Sequence, residues 1–138
     1  PTLEECSAAI YKPSYISLES ALSRYGILSQ MPQTLTCVTT RLPRTFKTSF
    51  GLIRYRQVKK GYFFGFAQEQ GCFIAEPEKA LADFLYLNKS QEIEGMLSEL
   101  RLEGLKRQRL ASYAQTMGVR LRPNLIHAAV ETSCRSRP

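Results

Sequence analysis

The chain is poor in the side chains that most enzymes use for catalysis. Its 138 residues include one histidine, His127, one aspartate, Asp83, and no tryptophan. Neither a phosphate-binding GxxxxGKS or GxxxxGKT loop nor a dinucleotide-binding GxGxxG pattern is present. Two-metal phosphoryl chemistry needs several convergent carboxylates, whereas the glutamates here lie mostly at solvated positions of predicted helices. We therefore expect no catalytic residue, no metal and no cofactor. A small nuclease or transferase ranks behind a nucleic-acid-binding module as an alternative function.

The few candidate catalytic groups each have a structural interpretation. His127 lies in an otherwise apolar predicted helix, which favours a structural or surface role over that of a general base. Ser17 directly precedes a predicted helix, so its hydroxyl is expected to cap that helix and not to act as a nucleophile. Asp83 falls among core positions one turn after Lys79, which predicts a hydrogen bond or an ion pair with that lysine.

The sequence also lacks the features of exported, zinc-binding or membrane-spanning proteins. Its cysteines are far apart and form no CxxC pair: Cys6, Cys37, Cys72 and Cys134. No basic stretch opens the chain as in a signal peptide, and no apolar run approaches the roughly 20 residues of a membrane helix. We expect reduced thiols in a cytoplasmic protein. The chain does not begin with methionine, which suggests a fragment of a longer protein or a processed form.

The charge is basic and unevenly distributed. The formal net charge is +7 at pH 7, and residues 41–60 contain no acidic residue at all. Such segregation favours an acidic partner or nucleic acid as the ligand of this stretch, over a surface that is merely solvated. The candidate partner-binding residues are therefore Arg41, Arg44, Lys47, Arg54 and Arg56.

Residue periodicity predicts an α+β domain with a helical C-terminal half. Alternating and β-branched stretches predict strands that short turns join into a small, mainly antiparallel sheet: 34–40, 44–49, 52–58, 62–66 and 72–75. Helical periodicity then begins at Pro77, Ser90, Leu105 and Pro123, which predicts four helices.

The predicted domain organisation is simple. Residues 1–11 are predicted to be a linker or the end of a helix, residues 12–132 a single α+β domain, and residues 133–138 a frayed tail.

Two stretches carry strong local signals. Residues 12–26, KPSYISLESALSRYG, combine Ser17 as a cap, one apolar stripe, and Gly26 to end the helix in a left-handed conformation. Residues 73–87, FIAEPEKALADFLYL, place Pro77 in the first turn of a helix that is expected to bury Leu81 and Phe84 against the sheet.

These two stretches also carry a resemblance. KPSYISLESALSRYGIL and FIAEPEKALADFLYL resemble the two blocks of the AbiEi-type antitoxins, the transcriptional regulators of type IV toxin–antitoxin systems. The intervening residues 35–66 are similar to that family's strand-rich middle. The resemblance implies a C-terminal effector domain that counteracts a nucleotidyltransferase-fold toxin without a stable complex, and that supports repression of its own operon. The family's N-terminal winged helix, which makes the main DNA contact, has no counterpart here, and self-association is a further implied role.

A free-standing nucleic-acid-binding module is the first alternative. The stretch 92–118 resembles a helix-turn-helix with a break at 102–104, and its second helix, 105–117, opens with Lys106, Arg107 and Arg109. Recognition helices contact bases with their N-terminal residues, which suits this placement. An ordinary helical hairpin with a basic edge is the simpler interpretation.

Overall fold

A six-stranded sheet forms the centre of residues 2–121, the part of the chain that the computed structural model describes. In chain order the elements are α1 (Leu3–Ile10), β1 (Ser14–Ile16), α2 (Leu18–Arg24), β2 (Leu35–Thr39), β3 (Arg44–Thr48), β4 (Gly51–Gln57), a 3-10 turn (Lys60–Tyr62), β5 (Phe66–Glu69), β6 (Cys72–Ala75), α3 (Pro77–Leu87), α4 (Ser90–Leu97) and α5 (Arg107–Thr116). The predicted α+β class is confirmed.

The sheet is mixed. Its strands lie in the order β3-β4-β2-β1-β6-β5. The antiparallel pairs, β1 with β2, β3 with β4 and β5 with β6, each join strands that follow one another along the chain. The pairs β1–β6 and β2–β4 are parallel. The expectation of a mainly antiparallel sheet therefore missed the pairs between strands distant in sequence, which leave no local signal such as a tight turn.

Different helices cover the two faces of the sheet. Register places Ile16, Cys37 and Tyr55 on one face, and α1 packs there, with the Tyr55 hydroxyl donating a 2.6 Å hydrogen bond to the carbonyl of Ser7. We call this the α1 face. On the opposite face, the α2/α3 face, helices α2 and α3 cover β2, β1 and β6. Alternation in β4 follows this division, because side chains of successive strand residues point to opposite faces.

Several predicted helix features are confirmed. Gly26 follows α2 with φ +76°, the left-handed conformation that glycine adopts without steric cost. Pro77 opens α3, and Leu81 and Phe84 are buried in the core. In α5, Leu110 and Ala114 are buried one turn apart, and Tyr113 is half-buried.

The predicted strand at 62–66 is wrong. Lys60–Tyr62 form a 3-10 turn, and the strand instead occupies Phe66–Glu69, part of which was expected to turn. Gly65 interrupts the aromatic run with φ +76°, and a Cβ there would lie 2.9 Å from Cγ of Lys79. Aromatic residues favour strands only where a pleated surface receives them. Here Phe63 and Phe66 instead pack around the ring of Tyr15.

Some predictions lie outside the described residues. These are the helix from Pro123, His127, Cys134 and the tail 133–138. Within residues 2–121 no helix has both the length and the apolar character needed to cross a bilayer.

The core position of Phe84 gives the first prediction. Its side chain is 1% exposed, so Phe84→Ala should lower the free energy of unfolding by about 3–5 kcal/mol, the usual range for truncating a large core residue. Urea denaturation followed by circular dichroism measures this change. Phe73→Ala is the matched control, because Phe73 is 40% exposed and its truncation should cost less than about 1 kcal/mol. Equal losses for both variants would contradict the placement of α3 over the core.

Candidate functional site

The two sequence blocks meet in one buried polar cluster, formed by Tyr15 and Ser17 from the first block and Lys79 and Asp83 from the second. The Lys79 ammonium donates to Oδ1 of Asp83 at 2.6 Å and to the hydroxyl of Tyr15 at 2.8 Å. The other carboxylate oxygen of Asp83 accepts from Tyr15 at 2.8 Å and from Ser17 at 2.7 Å. The predicted pairing of Lys79 with Asp83 is thus confirmed.

Every proton of the Lys79 ammonium has an acceptor in this cluster. The third proton goes to the carbonyl of Tyr62 at 2.8 Å, and the ammonium also lies 4.6 Å from the ring centroid of Phe64. Both charged side chains are 0% exposed. Because a buried ion pair is tolerated only when its remaining donors and acceptors are satisfied, this completeness marks the cluster as structural. No face of it is open to a substrate.

Burial sets the protonation equilibria of the cluster. Loss of hydration raises the pKa of Asp83, and the nearby Lys79 and the hydroxyls of Ser17 and Tyr15 act against that shift. Loss of hydration also lowers the pKa of Lys79, against the opposing charge of Asp83. The pKa of Tyr15 is raised by burial and by the Asp83 charge. The Tyr15 hydroxyl therefore stays protonated and can donate to Asp83 at neutral pH.

The role expected for Ser17 was wrong. Ser17 does occupy the position before the first helical residue of α2, but its side chain makes no cap hydrogen bond. Its hydroxyl instead donates to Oδ2 of Asp83, a hydrogen bond that the charge of the carboxylate strengthens. Nothing local in the sequence reveals this partner, which lies 66 positions further along the chain.

The turn between β1 and α2 is strained. Leu18, buried in the core, has φ +60°, a conformation that costs a residue with a Cβ about 1–2 kcal/mol. Thr36 holds the turn from β2, since its carbonyl accepts from the Ser17 amide at 3.1 Å and its hydroxyl donates to the Ser17 carbonyl at 2.7 Å. The sequence places no glycine or asparagine here that would have signalled the left-handed residue.

A second polar contact holds α5 on α3. The Lys106 amide, at the start of α5, donates to Oε2 of the buried Glu78 at 2.8 Å. Arg109 lies 3.4 Å from Oε2 of Glu76 and 3.7 Å from Oε1 of Glu78, and the Tyr113 hydroxyl donates to Glu76. Of the residues proposed for the nucleic-acid alternative, Arg109 is thus engaged against α3, whereas Lys106 and Arg107 are exposed. α5 packs on α3 and makes little contact with α4.

The five candidate partner-binding residues divide between the two sheet faces. The guanidinium of Arg41 lies 4.2 Å from the ring centroid of Tyr11, and that of Arg44 lies 4.7 Å from the ring of Phe46. Arg44 is opposite Tyr55 in the β3–β4 register, so it shares the α1 face. These two arginines are held by cation–π contacts at the rim of the aromatic cluster under α1.

The other three lie together on the opposite side of the same strands. Lys47 projects from β3, and Arg54 and Arg56 project from β4, all on the α2/α3 face. No helix among residues 2–121 packs on this part of the face. We call this exposed surface of β3 and β4 the basic strand pair. The side chains of Lys47 and Arg54 face solvent, whereas Arg56 is half-buried.

The three cations of the basic strand pair differ in their partners. Arg56 donates to the carbonyl of Leu87 at 2.7 Å and so caps the C-terminal end of α3. Burial and the nearby Arg54 lower the pKa of Arg56, while Glu19 and Glu92 partly offset the shift. Arg54 and Lys47 have no hydrogen-bond or ion-pair partner in the described part of the chain.

A small polar cleft borders the basic strand pair. Its lining combines Arg54 and Arg56 with side chains from the start of α2 and from the α3–α4 junction: Glu19, Lys89 and Glu92. Within residues 2–121 no group of three or more histidine, cysteine, aspartate or glutamate side chains is arranged to hold a metal ion.

Comparison of the chain with protein-family models, with curated proteins and with solved structures finds no match.

The buried cluster gives the second prediction. Ser17→Ala removes a hydrogen bond to a charged group and should cost about 1.5–3 kcal/mol of unfolding free energy. If Lys79→Met and Asp83→Leu are introduced together, both charges disappear, and Ser17→Ala should then cost little. Urea denaturation of the four proteins measures the coupling. Ser23→Ala on the same helix is the control, and an equal loss from Ser17→Ala in both backgrounds would show that the hydroxyl does not act through Asp83.

Proposed function

We propose that this chain is the effector domain of an antitoxin-type transcriptional regulator in the cytoplasm. It counteracts a nucleotidyltransferase-like toxin and supports repression of its own operon. The observation that carries the proposal is the convergence of the two resembling blocks on one cluster. The first block supplies Tyr15 and Ser17, and the second supplies Lys79 and Asp83. Residues that must meet for the fold to form are the ones that a shared fold would retain, which supports a common architecture with the AbiEi-type antitoxins.

A role in binding, and not in catalysis, agrees with where the polar groups lie. The buried cluster is closed to solvent on all sides. Accessible cations without a partner in residues 2–121 lie instead on β3 and β4, namely Lys47 and Arg54 of the basic strand pair. Unpaired cations on a sheet repel one another, and a partner of opposite charge relieves that repulsion. We therefore assign the partner contact to this surface, with Arg41 and Arg44 as a second patch on the α1 face.

A nucleic-acid-binding module using residues 105–117 has weaker support. Its exposed cations are Lys106 and Arg107, while Arg109 is occupied by Glu76 and Glu78. A recognition helix also needs a supporting helix packed beside it, and here α5 packs on α3. A small nuclease or transferase has no support from the polar groups of residues 2–121.

The third prediction tests the partner surface in the full-length regulator. Lys47→Glu with Arg54→Glu reverses two exposed charges and spares Arg56, whose bond to Leu87 stabilises α3. The double variant should fold with a Tm within about 4 °C of the parent. It should nevertheless fail to rescue cells from the cognate toxin.

Lys106→Glu with Arg107→Glu is the matched control, because it reverses two exposed charges on α5. Rescue and operator repression are measured in parallel for both double variants. If the α5 variant loses repression and the strand variant behaves like the parent, the nucleic-acid alternative replaces the proposed function.

A further inference from the structure

Within residues 2–121, helices α2 and α3 leave the basic strand pair largely uncovered. α2 and α3 lie over β2, β1 and β6, and the next two strands, β4 and β3, continue the sheet without a covering layer in residues 2–121. Neighbouring strands are about 4.8 Å apart, so two strands leave a band about 10 Å wide. An α-helix with its side chains is about 10–12 Å across. The open band therefore has the width of one helix.

The band is rigid, which suits a docking surface. On its reverse side Ile53 and Tyr55 are fully buried at 0% exposure. The β3–β4 hairpin pairs in register over its whole length, from Arg44 opposite Tyr55 to Thr48 opposite Gly51. Arg56 is fixed by its bond to the Leu87 carbonyl. A partner would meet a paired backbone and one side chain, Arg56, that are already positioned, which reduces the ordering entropy lost on binding.

The chemistry of the band is cationic at its centre and apolar at one end. Lys47, Arg54 and Arg56 provide the charge, and Leu52 on the same face is 41% exposed. Phe50, in the turn between the strands, is 54% exposed. Arginine and aromatic side chains are enriched at protein–protein contacts, where they form the energetic centre. The surface is therefore complementary to a ligand that carries both carboxylates and apolar side chains.

We infer that the basic strand pair binds one acidic amphipathic helix of a protein partner. The inference rests on the proposed function, which assigns a partner to this surface, and it adds the chemistry of that partner. Arg54 and Arg56 are two residues apart, which separates their Cα atoms by about 6.6 Å along the strand. Carboxylates at i and i+4 of a helix lie about 6 Å apart. A helix that runs along the strands can therefore pair successive acidic residues with successive arginines.

Other occupants fit less well. A nucleic-acid backbone carries no apolar side chains and would leave Phe50 and Leu52 unused. The chain's own residues 122–138 carry three arginines against one glutamate, so their charge repels the band. Charge complementarity selects an acidic segment from another protein.

The test uses the 138-residue chain and three probes. The first probe is a fluorescent helical peptide of about 20 residues with glutamates at i and i+4 beside a leucine stripe. The second has glutamine in place of every glutamate, and the third is a short DNA duplex. Fluorescence anisotropy at low and at about 0.15 M salt gives the affinities. The NMR signals of the Arg54 and Arg56 side-chain N–H groups report the site of contact.

The acidic peptide should bind at least about tenfold more tightly than the glutamine peptide, and salt should weaken it. Arg54→Gln should reduce its affinity at least about fivefold, while Arg107→Gln, the exposed control on α5, should leave it unchanged. Equal binding of the two peptides, no binding up to about 1 mM, or a duplex that binds more tightly through Arg54 would overturn the inference. The peptide experiment can fail while the proposed function still holds, because rescue from the toxin can depend on Arg54 even when the partner presents no helix.

Discussion

A lysine and a carboxylate that are both removed from water can coexist only when each obtains the hydrogen bonds that water would have given. Lys79 and Asp83 obtain them from Tyr15, Ser17 and the carbonyl of Tyr62. These partners come from β1, from the start of α2 and from the 3-10 turn. The ion pair on α3 therefore fixes this helix against two regions that are distant from each other in the sequence, the junction of β1 with α2 and the 3-10 turn. Replacing one of these groups leaves a buried charge without a partner, which is why the arrangement is cooperative.

The sequence predicts the features that depend on near neighbours. The turn at Gly26, the start of α3 at Pro77, the Lys79–Asp83 pair and the division of β4 into a buried and a basic side follow from capping, from helical spacing or from alternation. The parallel pairs, the partner of Ser17 and the conformation of Leu18 do not, because each depends on a segment that the fold brings from far along the chain. The strand predicted at 62–66 was wrong for the same reason, because the rings of this aromatic run pack around Tyr15 and do not lie on a pleated surface.

For the candidate sites too, the local sequence predicts one part and the fold determines the rest. Composition singled out a basic stretch, but only the sheet register separates Arg44 from Lys47, Arg54 and Arg56. Arg41 belongs with Arg44, because both lie against the ring of Tyr11. The structure also distinguishes cations that serve the fold from cations that face solvent. Arg56 caps α3 and Arg109 anchors α5, so their charge alone is a poor guide to partner contact. Arg54 and Lys47 make no such internal contact in residues 2–121.

The close approach of Gly65 to Lys79 has a consequence for how this sequence can change. A Cβ at position 65 would meet the Lys79 stem at 2.9 Å, and the backbone there is left-handed. A side chain at position 65 is therefore disfavoured twice, by the backbone conformation and by contact with the Lys79 stem. A shorter residue at 79 would in turn leave the charge of Asp83, and the hydroxyls around it, without the ammonium group that they contact. Positions 15, 17, 65, 79 and 83 are thus physically coupled, so that a substitution at one of them changes what the others can accommodate.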